Sequence, residues 1–489
     1  MSRPSWTRAL VTVIGGAGLT AAALQLPGSL QLAQASGTAT ADPTASQVAV
    51  RLAGLTCPGP ETEGIPSVAA VPGGTSTVLV ATAPTPALDG LPVATGEGRV
   101  TVRGMPAGTT LATSAARGAV LTAGVAGPTV VDVGATGSLA PGLAALQTWV
   151  RRDGDDRGLD ATACAAPRAE AWILAGGGDS TRRERLVVAN PGANTLTVDL
   201  QVYGEKGPIA SVNGSRIAVP GHGRVGVLLD ALAPGEKAPV VHVTATGGVM
   251  SALVEDSWIE GAVGRGRDDS GPTEGPALEQ IVPGAFVAGP SRLRVAVPGD
   301  AEAVVQARVL GADGPAPLPD NGVLRVPGGT VRELDLASLP AGGYAVQVRS
   351  DRPVLAAVST ERRSAGNAQS DLAWTPSTAP IATLAGTPIP VGAKANLMLT
   401  ASDGPGSVRV VTVGADGTTS VRTVDIAADS ATVLDVSGAS AVWVRHGTGT
   451  VRAAASLEID DRDGPLYSVV ALNAAAMTTT DVPVREIRR

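Results

Sequence analysis

VDLQVYGEKGP (198–208), VQARVLGADGP (305–315) and VRVVTVGADGT (408–418) are nearly one phrase written three times, about a hundred residues apart. In each, apolar residues alternate and run into G-x-x-G. Val198, Leu200 and Val202 precede Gly204 and Gly207; Val305, Ala307 and Val309 precede Gly311 and Gly314. Val408 and Val410, then Val411 and Val413 out of phase, precede Gly414 and Gly417. A period of two puts every second side chain on one face of a strand, and glycines that accept positive φ close a tight hairpin. The phrase predicts a strand entering a hairpin.

The residues downstream repeat too. IAVPGHGRVGVLLD (217–230), LRVPGGTVRELD (324–335) and DIAADSATVLD (425–435) each read as strand, small-residue turn and strand, closing on Leu-Asp at Asp230, Asp335 and Asp435. Two further strands come each time: PVVHVTA and VMSALVE, YAVQVRS and PVLAAVS, AVWVRHG and TVRAAAS. A fainter copy precedes them, with Asp132 of VVDV (130–133) matched to the Leu-Asp phrase and LAALQTWV (143–150) to VMSALVEDSW. Carboxylates that recur at one place in a repeat are expected to cap the backbone N–H groups of a turn.

Short strands, frequent turns and this period predict an all-β chain of tandem immunoglobulin-like or fibronectin-like antiparallel β-sandwich domains. The alternative is a β-propeller, although its blades need about forty to fifty residues each, half the observed period. The expected divisions are a signal peptide or membrane anchor at 1–35, sandwiches at 45–165, 170–262, 281–363 and 380–475, and a tail at 476–489. Stretches 151–172, 261–280 and 362–380 lack sustained periodicity and read as interdomain excursions, which suits an extended stalk. Trp149, Trp172, Trp258 and Trp374 fall at or near these joints. They read either as apolar plugs or as an exposed aromatic platform for carbohydrate, which makes them the candidate ligand-binding residues. Trp443 falls mid-strand and is expected in the core.

The 489 residues suit three or four domains. Ala and Val dominate the apolar fraction of 44%, whereas Phe occurs once, at Phe286, and Tyr three times. Such cores fit pleated sheets. A net charge of −7 argues against a non-specific nucleic-acid binder. Arginine far outnumbers lysine (Lys206, Lys237 and Lys394 only), which reads as the coding bias of a GC-rich genome.

The N-terminus has the parts of an export signal. Arg3 and Arg8 precede an apolar run at 9–24, Pro27 and Gly28 break it, and Ala33-Gln34-Ala35 offers a cleavage site. The segment is either cleaved or retained as an anchor, and the body is expected to be extracellular or at the cell surface. Cys57 and Cys164 suit that compartment as one disulfide.

Catalytic motifs are absent: no H-E-x-x-H, G-x-S-x-G, S-x-x-K or Walker loop occurs. His222, His242 and His446 lack metal-ligand spacing, and the Gly176–178 run has no helix-forming stretch after it to cradle phosphate. Acidic clusters offer the one plausible chemistry. Asp153, Asp155, Asp156 and Asp160 in DGDDRGLD could wrap Ca²⁺, as could Asp268 and Asp269 in RDDSG or Asp460, Asp461 and Asp463 in IDDRDG. None matches an EF-hand loop, and each contains arginine, so a solvated loop is the simpler reading and no cofactor is expected.

With W-x-L-x-G-G-G at 172–178, A-N-P-G at 189–192 and the sandwich repeats, the chain resembles a family of secreted actinobacterial proteins known as a domain of unknown function. The resemblance implies compartment and architecture and transfers no functional residue. The expected function is that of a non-enzymatic cell-envelope scaffold or adhesion module. Its partners would be other envelope proteins or wall polymers, and it would meet the membrane only through its N-terminal segment. The alternative is a carbohydrate or wall-polymer binder using the joint tryptophans.

Overall fold

The computed structural model describes residues 46–60, 74–154, 156–177, 182–261, 263–363 and 369–481. The expected export segment and residues 482–489 of the expected tail lie outside them. The chain divides into Val48–Thr479 and a terminal unit of Met1–Gln47 with Thr480–Arg489. Nearly all of the strands belong to the first unit. Among the described residues no helix is long and apolar enough to cross a membrane.

The chain is all-β, and its strands fall into four quarters built to one plan. In the first quarter eight strands run Leu52–Cys57, Thr75–Thr82, Arg99–Met105, Thr109–Ser114, Val120–Val125, Val130–Thr136, Leu143–Arg151 and Gly158–Ala163. One antiparallel sheet has the order first, sixth, third, fourth; the other has fifth, second, seventh, eighth. Alternation decides what faces inward. Val100 and Val102 of the third strand and Val131 and Val133 of the sixth meet Val78 and Val80 of the second and Ala145 of the seventh in one core. Cys57, ending the first strand, is disulfide-bonded to Cys164, just past the eighth, with Cα atoms 4.6 Å apart.

The other quarters repeat this pairing. In the third and fourth, strands fuse: Gly342–Arg363 serves as sixth and seventh, Lys394–Gly414 as second and third, and Ala439–Ile459 as sixth and seventh. Second pairs with fifth and third with sixth, as B with E and C with F in an immunoglobulin domain. The first and seventh strands stand in each other's places, however, the first beside the sixth and the seventh beside the second.

The opening phrase forms the predicted hairpin each time. Gly204 pairs with Gly207, Gly311 with Gly314, and the Gly414 N–H bonds to the carbonyl of Thr418. Asp335 and Asp435 end fifth strands and accept the backbone N–H of Ala337 and Ser437, both at 2.8 Å. Asp230 lies in the first turn of a short helix, Leu229–Leu232, after its fifth strand. Asp132 departs from the expected alignment. It lies in a sixth strand, and its carboxylate takes the Thr56 hydroxyl at 3.2 Å, so VVDV resembles the Leu-Asp phrase in letters only.

The expected excursions also need correction. Each contains an eighth strand: Gly158–Ala163, Val263–Ser270 and Ser370–Pro376, with Leu466–Ala471 as the fourth. These four strands pack first on second, second on third, third on fourth and fourth on first. The quarters therefore surround a common axis, and Val48–Thr479 is no stalk. It shares fourfold closure with a propeller, but each quarter holds two sheets where a blade holds one. Arginines stitch neighbouring quarters. Arg294 donates to the carbonyls of Ala175, Gly176 and Pro239; Arg308 pairs with Asp429 at 2.8 Å; Arg152 pairs with Asp461 at 2.9 Å.

Candidate functional site

A cluster of buried acidic side chains and Arg267 lies where the eighth strands meet. Asp371 Oδ2 accepts the backbone N–H of Leu159 at 3.0 Å and of Tyr467 at 2.7 Å. Its Oδ1 accepts those of Arg267 at 3.1 Å and Leu372 at 3.0 Å. One carboxylate thus ties all four quarters. Burial pushes it up, and the four N–H groups hold its charged form against that.

Beside it, Asp268 accepts the Trp374 backbone N–H at 2.6 Å and the Ser468 hydroxyl at 2.8 Å. Arg267, with no exposed side-chain surface, donates to Asp160 at 2.6 Å, pairs with Glu255 at 2.7 Å and lies 4.1 Å over the Trp149 ring. Burial pulls this guanidinium down, but Asp160, Glu255 and Asp269 outweigh it and hold the group above its ordinary value. Asp268 is pushed well above the carboxylate range, first by burial and then by Asp160 and Asp269. Asp269 is raised by burial and by Asp160 and Glu255, with Arg267 opposing. Glu184 is raised to about 7 by burial and Asp256. The carboxylates here bind strands together.

The residues singled out in the sequence have varied places. Trp149 and Trp374 are 2% exposed and Trp172 7%, so these three rings offer no platform to a sugar. Trp149 and Trp374 plug joints: the indole N–H of Trp374 reaches across to Asp256 at 2.7 Å. Trp172 stacks on His242, ring centroids 3.8 Å apart. Trp443 is in the core. Trp258 is half-buried and lies under Arg182, 5.0 Å from the ring. It lines a cleft of about 280 Å³ with Lys237, Arg292, Arg294 and Glu333.

The three described members of the calcium quartet do not converge. Asp153 is exposed near Arg151, Asp156 accepts the Ser257 hydroxyl at 2.9 Å, and Asp160 points to Arg267. Asp155 lies outside the described residues. Among the described residues no three His, Cys, Asp or Glu side chains are grouped to hold a metal ion. The described residues of DGDDRGLD turn into the strand Gly158–Ala163. Sequence reasoning misses Asp371. The repeat offers no positional signal for it: Asp160 and Asp268 lie opposite Trp149 and Asp256 of their seventh strands, whereas Asp371 lies opposite Arg362, where the other quarters have Gly158 and Gly266.

Residues 119–437, well over half of the chain, match the family of unknown function DUF5719. No curated protein matches. Among solved structures, Thermotoga maritima 1070 shows 17% identity and a TM-score of 0.17, over 21% of this chain and 94% of its own. A tetra-tandem repeat in the extending region of a large adhesion protein shows 16% identity and a TM-score of 0.10, over 78% and 93%. Scores this low carry no argument about fold or function.

Proposed function

We propose that this chain, which belongs to the family of unknown function DUF5719, is an exported, non-enzymatic scaffold of an actinobacterial cell envelope. One observation carries the reading: the acidic and guanidinium groups at the axis are buried and engaged in joining the four quarters, as Asp371 and Arg267 are. A catalytic carboxylate needs access to substrate and a free lone pair or proton. The disulfide between Cys57 and Cys164 suits an oxidising compartment. The outer faces of the sandwiches would then meet other envelope proteins or wall polymers.

Fractionating the cells that make the protein, with in-cell crosslinking and N-terminal sequencing, tests this. The reading expects the chain in the envelope or medium, crosslinked to discrete envelope components and inert towards ester, glycoside, peptide and phosphoester substrates. Cytoplasmic recovery, or turnover by the purified chain, contradicts it.

Trp258 favours a second reading, binding of an anionic wall polymer. Its half-buried ring, Lys237 and Arg292 line one cleft, where cations and an aromatic wall suit an acidic sugar. Retention on purified anionic wall polymer should then be lost in W258A, and unchanged retention would discard that reading.

A further inference from the structure

The first strand of the first quarter, Leu52–Cys57, is an edge of its sheet and pairs with the sixth strand on one side. In an antiparallel ladder the N–H and C=O of alternate residues point the same way. Thr56 turns both groups away from the sixth strand. Its N–H donates to the Ala165 carbonyl at 2.9 Å, and its carbonyl accepts the Ala165 N–H at 3.4 Å. On the same side the Val50 N–H donates to the Met477 carbonyl at 3.0 Å. Between these two closures the edge is open. Gly54, two residues before Thr56, points its N–H and C=O outward and meets no main-chain partner there among the described residues.

Proline explains the opening. Continued in register, the bridge of Thr56 to Ala165 would set Pro167 opposite Gly54. Proline has no N–H to give the Gly54 carbonyl, and the chain leaves the edge. Arg168 pairs instead with Met250 of the second quarter, N–H to carbonyl at 2.8 Å in both directions.

That divergence leaves a cleft of about 270 Å³ against the open edge. Ala53, Gly54 and Leu55 line one side, and alanine is the commonest residue around the rest. Two of the lining side chains are charged, Arg168 and Glu274, and both are exposed. Neither forms an ion pair or a side-chain hydrogen bond among the described residues. Behind the Thr378 lining, Arg452 is engaged with the Thr378 carbonyl at 2.7 Å and the Ser402 hydroxyl at 3.4 Å. The cleft therefore offers a main-chain donor and acceptor, one unpaired cation and one unpaired anion.

We propose that this cleft binds a short free peptide of small residues, added as an antiparallel strand to the edge at Gly54, its carboxylate at Arg168 and its ammonium at Glu274. A central residue opposite Gly54 gives its N–H to the Gly54 carbonyl and takes the Gly54 N–H on its own carbonyl, the pair that Pro167 cannot complete. The volume admits roughly two or three alanine-sized residues and no large side chain. This inference does not depend on the envelope reading.

The test is a calorimetric or NMR titration of the full chain with trialanine, trialanine N-methylated on its central residue, acetyl-trialanine, trialanine amide and trileucine. Trialanine should bind and trileucine should not. Methylating the central nitrogen should weaken binding at least about tenfold, and capping either end about threefold. Arg168→Gln leaves the backbone bonds to Met250 in place and should make trialanine and its amide bind alike. Gly54→Pro removes the outward N–H, a change that an edge strand accepts, and should abolish binding. No binding of trialanine at millimolar concentration, equal binding of the N-methylated peptide, or an Arg168→Gln chain that still prefers the free carboxylate overturns the proposal.

Discussion

Replacing Asp371 with alanine would leave the backbone N–H groups of Leu159, Arg267, Leu372 and Tyr467 without their acceptor at the point where all four quarters meet. Unmade buried hydrogen bonds of this kind are expensive, and about 3–5 kcal/mol of stability should be lost by urea unfolding. A loss below about 1 kcal/mol would mean the tie is ornamental. Arg267→Met should be comparably harmful at neutral pH, because it removes the cation that Asp160 and Glu255 share. Its deficit should shrink at pH 5, where protonating one carboxyl removes an uncompensated buried charge. A deficit independent of pH would show that packing against Trp149, and not charge, is what Arg267 supplies.

At the level of elements, the eighth strand explains both what the sequence reveals and what it hides. Strands of the outer sheets alternate because one face is wet, and their hairpins end on glycine, so the phrase at 198–208 is readable. The eighth strand is covered on both faces, by its own sheet and by the eighth strands of its neighbours, so its alternation vanishes. Val263–Ser270 carries arginine and aspartate that are buried only because they meet partners from other quarters. A local reading of composition takes such a strand for a loop.

Close approach of these strands is visible at Gly266. Its φ is +119°, and a Cβ there would stand 2.3 Å from the Leu372 nitrogen. Gly266→Ala should therefore cost at least about 2 kcal/mol, whereas Gly124→Ala, a change into open space, should be nearly neutral. Similar melting temperatures for the two variants would contradict this packing. The disulfide acts on the same elements: it closes a loop of 107 residues from the first strand to just past the eighth. Removing it by C57S/C164S should cost about 3–5 kcal/mol under oxidising conditions.

For the molecule as a whole, arginine is the residue whose role composition conceals. Its excess over lysine reads as codon bias, yet Arg152, Arg267, Arg294 and Arg308 sit at joints between quarters, where a planar donor with five N–H groups can reach carbonyls and carboxylates together. Carboxyls give the assembly its pH dependence. Asp268, Asp269 and Glu184 are raised in the folded chain, so between their unfolded and folded values the folded state holds more protons, and stability falls as pH rises.

Glu184 alone, raised from 4.5 to about 7, corresponds to a loss of about 3 kcal/mol at most across that interval. Glu333 and Asp461 are held low, and their contribution disappears only in stronger acid. The melting temperature should thus peak in mild acid and decline towards pH 8, and Glu184→Gln should flatten the decline between pH 5 and 7. A melting temperature that climbs over that range would refute the assignment of these groups.

The most direct test is small-angle X-ray scattering from a fragment of residues 48–479. Four sandwiches gathered on one axis should give a radius of gyration of about 22 Å, the value for a compact chain of this length. A radius about twice as large, with the scattering profile of a rod, would mean that the quarters string out and that the axis does not form.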